Sequence, residues 1–403
     1  MSQNKCLLCG EELYKLTEFE NMPCSAQNIP AQEDLINDFP ITLSLCQCKY
    51  CGLVQFDTAP VWYYKNVIRA GGGTTTMKYL RLDEYKRLLH FMSEHQISGR
   101  KIIEIGCGKG EFLSMWKSID NVVLEETNSN NLFVAGIEND PDYVKAAVNE
   151  NLIVYQGFAE GNYEIPNGKY DAFVQFNFLE HQPRPNEMLQ NIWMNLNDNA
   201  LGLVTVPSLE YILQYDGYYE LIRDHIANYS FETIKFLFEK NGFQLLQSQI
   251  VNRDTIEIIV KKCDKNSYNA TPDFSGKFTD IEGIRENKIK IMTFIKNYLS
   301  NLSGNGKTMA IWGAGHQGFT LASTTDLKLY VKYFIDSASF KQGRFAPGSH
   351  IKIVDPDYFF MDPVDEILIV APGYTDEIAK TIHKKYGKDI KILVLKSEMI
   401  MEY

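Results

Sequence analysis

The chain has 403 residues, 45% hydrophobic and 23% charged, which is ordinary for a globular protein, too apolar for disorder, and long enough for two or three domains. Forty Lys and Arg against 51 Asp and Glu leave a net charge of −11, which argues against general binding of DNA, RNA or anionic membrane. No apolar run reaches the roughly 18 residues needed to span a bilayer, and the start MSQNKCLLCGEEL lacks a signal-peptide pattern, so a cytoplasmic protein is expected.

Six of the eight cysteines fall in the first 51 residues: Cys6, Cys9, Cys24, Cys46, Cys48 and Cys51. In a reducing compartment such clustering favours metal over disulfides. Cys6-Leu-Leu-Cys9-Gly and Cys48-Lys-Tyr-Cys51-Gly are two C-x-x-C-G knuckles, a spacing that lets two thiolates reach one ion. Four soft thiolates point to Zn²⁺ in a closed, structural, tetrahedral site. The 38 residues between the knuckles imply an insertion, and Cys24 and Cys46 are left over. This first stretch is acidic, which fits a stapled module that carries substrate contacts better than a nucleic-acid finger.

From about residue 75 to 265, short β-rich runs alternate with helical stretches, the mark of a mostly parallel sheet. Lys101-Ile-Ile-Glu-Ile105 reads as a buried strand that empties into Gly106-Cys-Gly108-Lys-Gly110, followed by residues 111–116 with helical spacing. Such a turn brings bare backbone to a ligand at a helix start. Glu104 lies inside the strand. Val134-Ala-Gly-Ile-Glu138 is a second strand tipped by a carboxylate, placed to accept from the hydroxyls of a ribose. The E-x-G-x-G-x-G pattern resembles motif I of class I S-adenosylmethionine methyltransferases, with Glu138 as the ribose acid. A nicotinamide site is the competing reading, but it would want G-x-G-x-x-G, which this turn lacks. Residues 125–131 read as an exposed polar insertion. In the methyltransferase pattern Phe158, Ala159 and Glu160 neighbour the adenine. Tyr170–Phe176 is the fourth strand, and Asn177 to Pro183, with His181, follow at its methyl-facing end.

The chain as a whole resembles the sugar C-methyltransferases that act on nucleotide-linked 4-keto-6-deoxyhexoses. The resemblance rests on the knuckles through Gln55, on Glu104-Ile-Gly-Cys-Gly108, on Asn177 to His181, on Asp224-His225-Ile-Ala-Asn-Tyr-Ser230, and on Lys341 to Gly348. It implies a zinc-binding domain over 1–70, a class I methyltransferase core of Rossmann-like α/β fold over 71–265, and a C-terminal Rossmann-like domain over 266–403. It also implies S-adenosylmethionine as cofactor, a nucleotide-sugar substrate, and a monomer or weak homo-oligomer.

Within the family segment the histidine is the base, which implies His225, with Asp224 orienting it. His181, Arg223 or a tyrosine hydroxyl would hold the oxygen that becomes negative. The chemistry agrees, because a carbon next to a ketone becomes nucleophilic when a neutral imidazole removes its proton. The family tyrosine is replaced by Ile222. A further family tyrosine after the zinc domain has Tyr63, Tyr64 or Arg69 as stand-ins, and Tyr229 joins Tyr64 and Arg69 as expected substrate contacts.

Beyond a linker over 264–280 and an amphipathic helix over 281–302, a second α/β pattern opens with a strand over 308–312 and the turn Gly313-Ala-Gly315-His-Gln-Gly318. Asp336 tips the next strand. Read alone this is a dinucleotide fingerprint. The resemblance makes it a nucleotide-sugar platform, with Gly313, Gly315, Gln317, Gly318 and Arg344 as contacts. Gln317 stands where the family has lysine. His316 and His350 read as surface residues. Methyl transfer to oxygen or nitrogen, and a non-catalytic module with a vestigial core, stay open as alternatives.

Overall fold

The structure is a computed structural model that describes residues 5–67, 75–119, 121–127, 131–264, 270–371, 373–396 and 399–403. Arg69, with the rest of 68–74, lies outside the described residues. The insertion between the knuckles is a pair of antiparallel strands, Leu13–Met22 and Ile41–Cys48, joined through a 3₁₀ turn at Gln32–Asn37. Val54–Phe56 adds a third strand. The fourth comes from far away: Ala227–Asn228 pairs with it, Val54 opposite Asn228 and Gln55 opposite Ala227.

The central sheet has seven strands in the order Phe243–Val251, Thr255–Lys262, Leu196–Pro207, Tyr170–Phe176, Lys101–Ile105, Phe133–Glu138, Val154–Gln156. The last five run parallel, and the first two form an antiparallel hairpin on the edge. This is the Rossmann-like α/β architecture of class I methyltransferases. Tyr170–Phe176 is buried at every position, as a strand covered on both faces must be. The stretch after the glycine turn differs from expectation. Instead of one helix, a 3₁₀ segment at Leu113–Ser118 precedes a short helix at Asn121–Glu126. Phe112, Leu113, Met115 and Trp116 are all buried, and a three-residue turn stacks Phe112 over Met115 and Leu113 over Trp116, an all-round burial that a one-faced helix would not give. The polar run expected as an exposed insertion therefore begins in a helix.

The third sheet has six strands in the order Ile353–Val354, Val331–Ile335, Met309–Trp312, Glu366–Ile369, Lys391–Lys396, Met399–Glu402, parallel except at the last pair. The helix Glu282–Gly304 buries Ile284, Ile291, Ile295, Leu299 and Leu302 along one stripe, the spacing of a helix that packs one face. That stripe belongs to an apolar cluster reaching from Phe19 and Leu43 in the first sheet to Ile311 and Phe334 in the third. Within the segment expected as a linker, residues 270–280 dock on the first module. A Cβ on Gly52 would stand 2.6 Å from Phe274 Cδ2, Phe278 stacks on Tyr14 with ring centres 4.2 Å apart, and Thr279 N donates to Gln47 Oε1 at 2.7 Å. Among the described residues no helix is long and apolar enough to cross a membrane.

Candidate active site

The carboxyl ends of Lys101–Ile105, Phe133–Glu138 and Tyr170–Phe176 meet at one rim of the central sheet, where open α/β sheets bind ligands. Gly106 and Gly108 have φ of 69° and 59°, values that a side chain resists, so the turn bends tightly with its amides exposed to the rim. Glu138 stands over it, accepting from Gly108 N and Asp140 N, each at 2.9 Å. Glu104 is fully buried below the turn, and Gly110 completes it. A Cβ on Gly136 would come within 2.5 Å of Cys107 Sγ, so this glycine is what lets the turn settle on the neighbouring strand.

An aromatic wall closes one side. Phe178 packs on Gly106, 3.4 Å from where a Cβ would be. Phe158 lies 6.0 Å from Phe178 and 6.1 Å from Tyr64, ring centre to ring centre. Ala159 is buried, and Glu160 pairs with Lys65 at 2.7 Å and with Arg184. Asn177 takes a φ of 44° and accepts from Thr205 Oγ1 at 3.0 Å and Arg81 NH2 at 3.4 Å. A glycine turn, an upright carboxylate on the second strand and an aromatic wall are the donor set that a nucleoside with a ribose diol requires, so these residues fit S-adenosylmethionine.

The histidines assemble immediately beyond. His181 N donates to Phe178 O at 3.3 Å, so one residue, Phe178, links the glycine turn to the histidine cluster. The His181 and His225 rings meet edge to face with centres 4.8 Å apart, and His316 lies 6.4 Å from His225. His181 Nδ1 sits 2.8 Å from Asp224 O. A carbonyl only accepts, so Nδ1 carries the proton. Glu180 completes a trio with the two histidines, their polar side-chain atoms within 4.8 Å of one another.

Burial governs the electrostatics here. It pushes the His181 pKa down to about 4, against the hydrogen bond to Asp224 O. Burial, then the imidazoles of His181 and His316, hold His225 well below 6.5. Burial also pushes Glu180 up to about 8 and raises Asp224, against the hydrogen bond from Tyr63.

The N-terminal module grips the His225 segment from two sides. Tyr63 Oη donates to Asp224 Oδ2 at 2.6 Å and Ala26 N to Oδ1 at 2.7 Å. Arg223 donates to Cys24 O at 2.9 Å and Ala59 O at 3.5 Å. On the other side Phe56 N donates to Ile226 O at 3.0 Å. Of the adjacent tyrosines, Tyr63 reaches the histidine cluster, whereas Tyr64 faces Phe158 and Arg184. Tyr229 is fully buried, with Glu180, Cys6 and Cys51 as its electrostatic neighbours.

Cys6, Cys9, Cys48 and Cys51 converge, all four sulfurs within 4.8 Å of one another. Cys6 to Cys51 and Cys9 to Cys48 are 3.4 Å, Cys9 to Cys51 3.7 Å. A tetrahedral ion with Zn–S near 2.3 Å sets its sulfurs about 3.8 Å apart, so the cluster fits zinc. Leu8 N, Tyr50 N and Cys51 N each approach a sulfur at 3.4 Å. Cys46 stays on its strand opposite Lys15 and Gln55, and Cys24 donates to Asp38 at 3.1 Å.

The C-terminal turn has the shape of its motif: a Cβ on Gly318 would strike Gly313 O at 2.6 Å, and Gly315 precedes the helix His316–Thr324. Its polar groups are engaged within the chain. Ala314 N donates to Asp336 at 3.0 Å, and Lys341 lies over the same carboxylate at 3.0 Å, in the position a dinucleotide ribose would need. Gln317 Nε2 donates to Glu220 Oε1 at 2.5 Å. Arg344 donates to Ile29 O at 2.9 Å, on the first module. His350 is exposed at the surface, as expected, and pairs with Asp38 at 2.9 Å. His316, also expected there, pairs with Glu220 at 3.2 Å and faces His225. His316, Glu220 and Glu180 stand around the histidines without a role there having been expected from the sequence. Position within a named motif was the available signal for His316 and Glu180, and Glu220 carried none.

Residues 77–248 match a family described as a methyltransferase domain, and residues 278–395 match one described as a C-methyltransferase C-terminal domain. C-methyltransferase NovU of Streptomyces niveus is 21% identical, over 93% of this chain and 91% of the relative. Among solved structures, similarity extends to the plantazolicin methyltransferase BamL in complex with a triazolic desmethylPZN analogue and SAH, at 12% identity over 47% of this chain and 86% of that one, TM-score 0.37. A SAM-dependent methyltransferase from Aquifex aeolicus is 16% identical over 46% of this chain and 93% of that one, TM-score 0.34.

Proposed function

We propose that this S-adenosylmethionine-dependent methyltransferase methylates the carbon beside the ketone of a nucleotide-linked 4-keto-6-deoxy sugar, with His225 as the base. The observation that carries this reading is the trio of Glu180, His181 and His225, whose polar atoms lie within 4.8 Å of one another and which Phe178 joins to the glycine turn.

Gly106, Gly108 and Gly110 would cradle the cofactor, Glu138 would take its ribose hydroxyls, Phe158 and Ala159 its adenine, and Asn177 would stand at the strand end, with Glu104 bracing the turn from below. Bound there, the sulfonium supplies an electrophilic methyl group. The chain's own residues create the nucleophile. His225, held uncharged by burial, takes the proton next to the ketone. The C–H bond breaks, the proton passes to the imidazole, and the electron pair spreads over the C–C–O unit. His181 holds the Asp224 carbonyl, and Tyr63 and Ala26 hold its carboxylate, so Asp224 fixes the backbone that presents His225. Arg223 anchors the same segment to the first module.

The turn at Gly313, Gly315 and Gly318 would bring the start of its helix to the diphosphate, Gly313 N staying bonded to Ile335 O at 3.0 Å, with Gln317 and Arg344 at the margin, Tyr64 on the cofactor side and Tyr229 beneath. The cysteine cluster takes Zn²⁺ as a closed structural centre, and the three units are 1–70, 71–265 and 266–403. Incubation of the native chain with such a sugar and S-adenosylhomocysteine in deuterium oxide tests the reading. Deuterium is expected to enter at the carbon beside the ketone. A chain that methylates the sugar yet exchanges nothing acts on oxygen or nitrogen instead.

A further inference from the structure

Proton removal beside a ketone leaves negative charge on the ketone oxygen, and a positioned donor must meet it. The groups expected to do so are engaged elsewhere. His181 gives its Nδ1–H to Asp224 O at 2.8 Å. Arg223 spends its two terminal nitrogens on the carbonyls of Cys24 and Ala59 and keeps only Nε without a partner among the described residues, Tyr63 donates to Asp224, and His316 pairs with Glu220. Ile222 has no hydroxyl. Glu180 belongs to the trio itself. It is 2% exposed, its Oε2 has no hydrogen-bond partner among the described residues, and its ionic neighbour within 4 Å among the described residues is His181 Nε2 at 3.9 Å.

We propose that Glu180 is a catalytic hydrogen-bond donor, its protonated carboxyl group holding the ketone oxygen while His225 takes the neighbouring proton. The inference rests on the reading of His225 as the base. Its geometry is suited to the task. The carbon that loses the proton and the carbonyl oxygen lie about 2.4 Å apart, and with contacts of about 3 Å to base and donor they bridge an interval of the size seen here, since the polar atoms of Glu180 and His225 lie within 4.8 Å.

In the step, the C–H bond breaks, the proton passes to His225, and the electron pair moves into the C–C–O unit. Glu180 keeps its own proton and shares it with the oxygen, so no further reactant is needed. Among the described residues the titratable groups that face Glu180 are His181 beside it in sequence, His225, and the Tyr229 hydroxyl. None offers a fixed cation, and burial raises the Glu180 pKa to about 8. A carboxylic acid kept neutral in an apolar site so that it can donate is a known enzymic device.

The test compares the native chain with Glu180→Gln and Glu180→Ala in methyl transfer and in deuterium exchange. Glutamine keeps a donor and the size, so kcat is expected within about tenfold of native, with the alkaline limb near pH 8 abolished. Alanine should lower kcat by about 10²–10³-fold with cofactor affinity unchanged. If Glu180→Gln falls as far as Glu180→Ala, or if its alkaline limb persists, the assignment is overturned. It is also overturned if turnover is lost to a chelator and restored by a divalent cation in a chain whose cysteine cluster stays loaded, because the trio would then hold an ion. Infrared spectra of the native chain give a readout independent of variant folding: a protonated carboxyl band at neutral pH that disappears at alkaline pH supports Glu180 as donor, and its absence overturns it. Lack of exchange in the native chain removes the base reading too, whereas exchange in the native chain with loss in Glu180→Gln removes Glu180 alone.

Discussion

Substitution of His225→Ala lowers kcat for methyl transfer by about 10²–10⁴-fold, the range that a positioned general base contributes, and leaves S-adenosylmethionine binding at its native level. The separation follows from placement. The proposed cofactor set, Gly106 to Gly110, Glu138 and Phe158, meets the Phe178 ring through Gly106 and Phe158, whereas the histidine cluster meets Phe178 through its backbone carbonyl. Because burial and the imidazoles of His181 and His316 hold His225 well below 6.5, its uncharged form predominates at and above that pH. The acid limb of kcat therefore lies below pH 6.5, where falling pH finally protonates the base. Calorimetry of cofactor binding beside a pH profile of turnover checks both statements, and cofactor affinity lost together with turnover would mean that the alanine disturbs the fold.

The second large effect comes from the far end of the chain. Removing the ion from the cysteine cluster, by chelation or by Cys48→Ser, should lower turnover by about 10²-fold or more, since a displacement near 1 Å of a catalytic group costs that much. The path is short. The knuckles hold Val54–Phe56 through Gln55, which accepts from Leu7 N at 2.9 Å and donates to Lys5 O at 3.2 Å. That strand carries Ala227–Asn228, and His225 stands two residues before it. Cofactor binding should fall far less, because the glycine turn belongs to the central sheet. Metal content by emission spectroscopy, followed by turnover and cofactor titration of the stripped chain, gives the comparison. A stripped chain with full turnover would separate the cluster from the base.

Much of the core was readable because it is written in short-range patterns. Lys101–Ile105, Tyr170–Phe176 and Val331–Ile335 end where their β-rich runs meet Gly106, Asn177 and Asp336, and the glycine turns follow from residues that tolerate positive φ. The knuckle spacing identified the four sulfurs that converge and set Cys46 aside. What escaped was long-range. A two-residue strand at Ala227–Asn228 has no local signature, and its partner lies more than 170 residues earlier. Tyr63 and Tyr64 are neighbours whose side chains leave a 3₁₀ turn in different directions, which composition cannot decide. Phe274 and Phe278 look like stray aromatics in a polar linker until Gly52 and Tyr14 are seen beneath them. Glu180 and Glu220 are ordinary acids in sequence, and only burial and packing bring them to the histidines.

The most direct measurement gives the native chain S-adenosylmethionine carrying a ¹³C-labelled methyl group together with a nucleotide-linked 4-keto-6-deoxy sugar, and reads the product by carbon NMR. The label is expected as a methyl bonded to the carbon beside the ketone, coupled to that ring carbon. A label bonded to oxygen or nitrogen, or no transfer to any such sugar while the cofactor binds normally, would contradict carbon methylation of this substrate class.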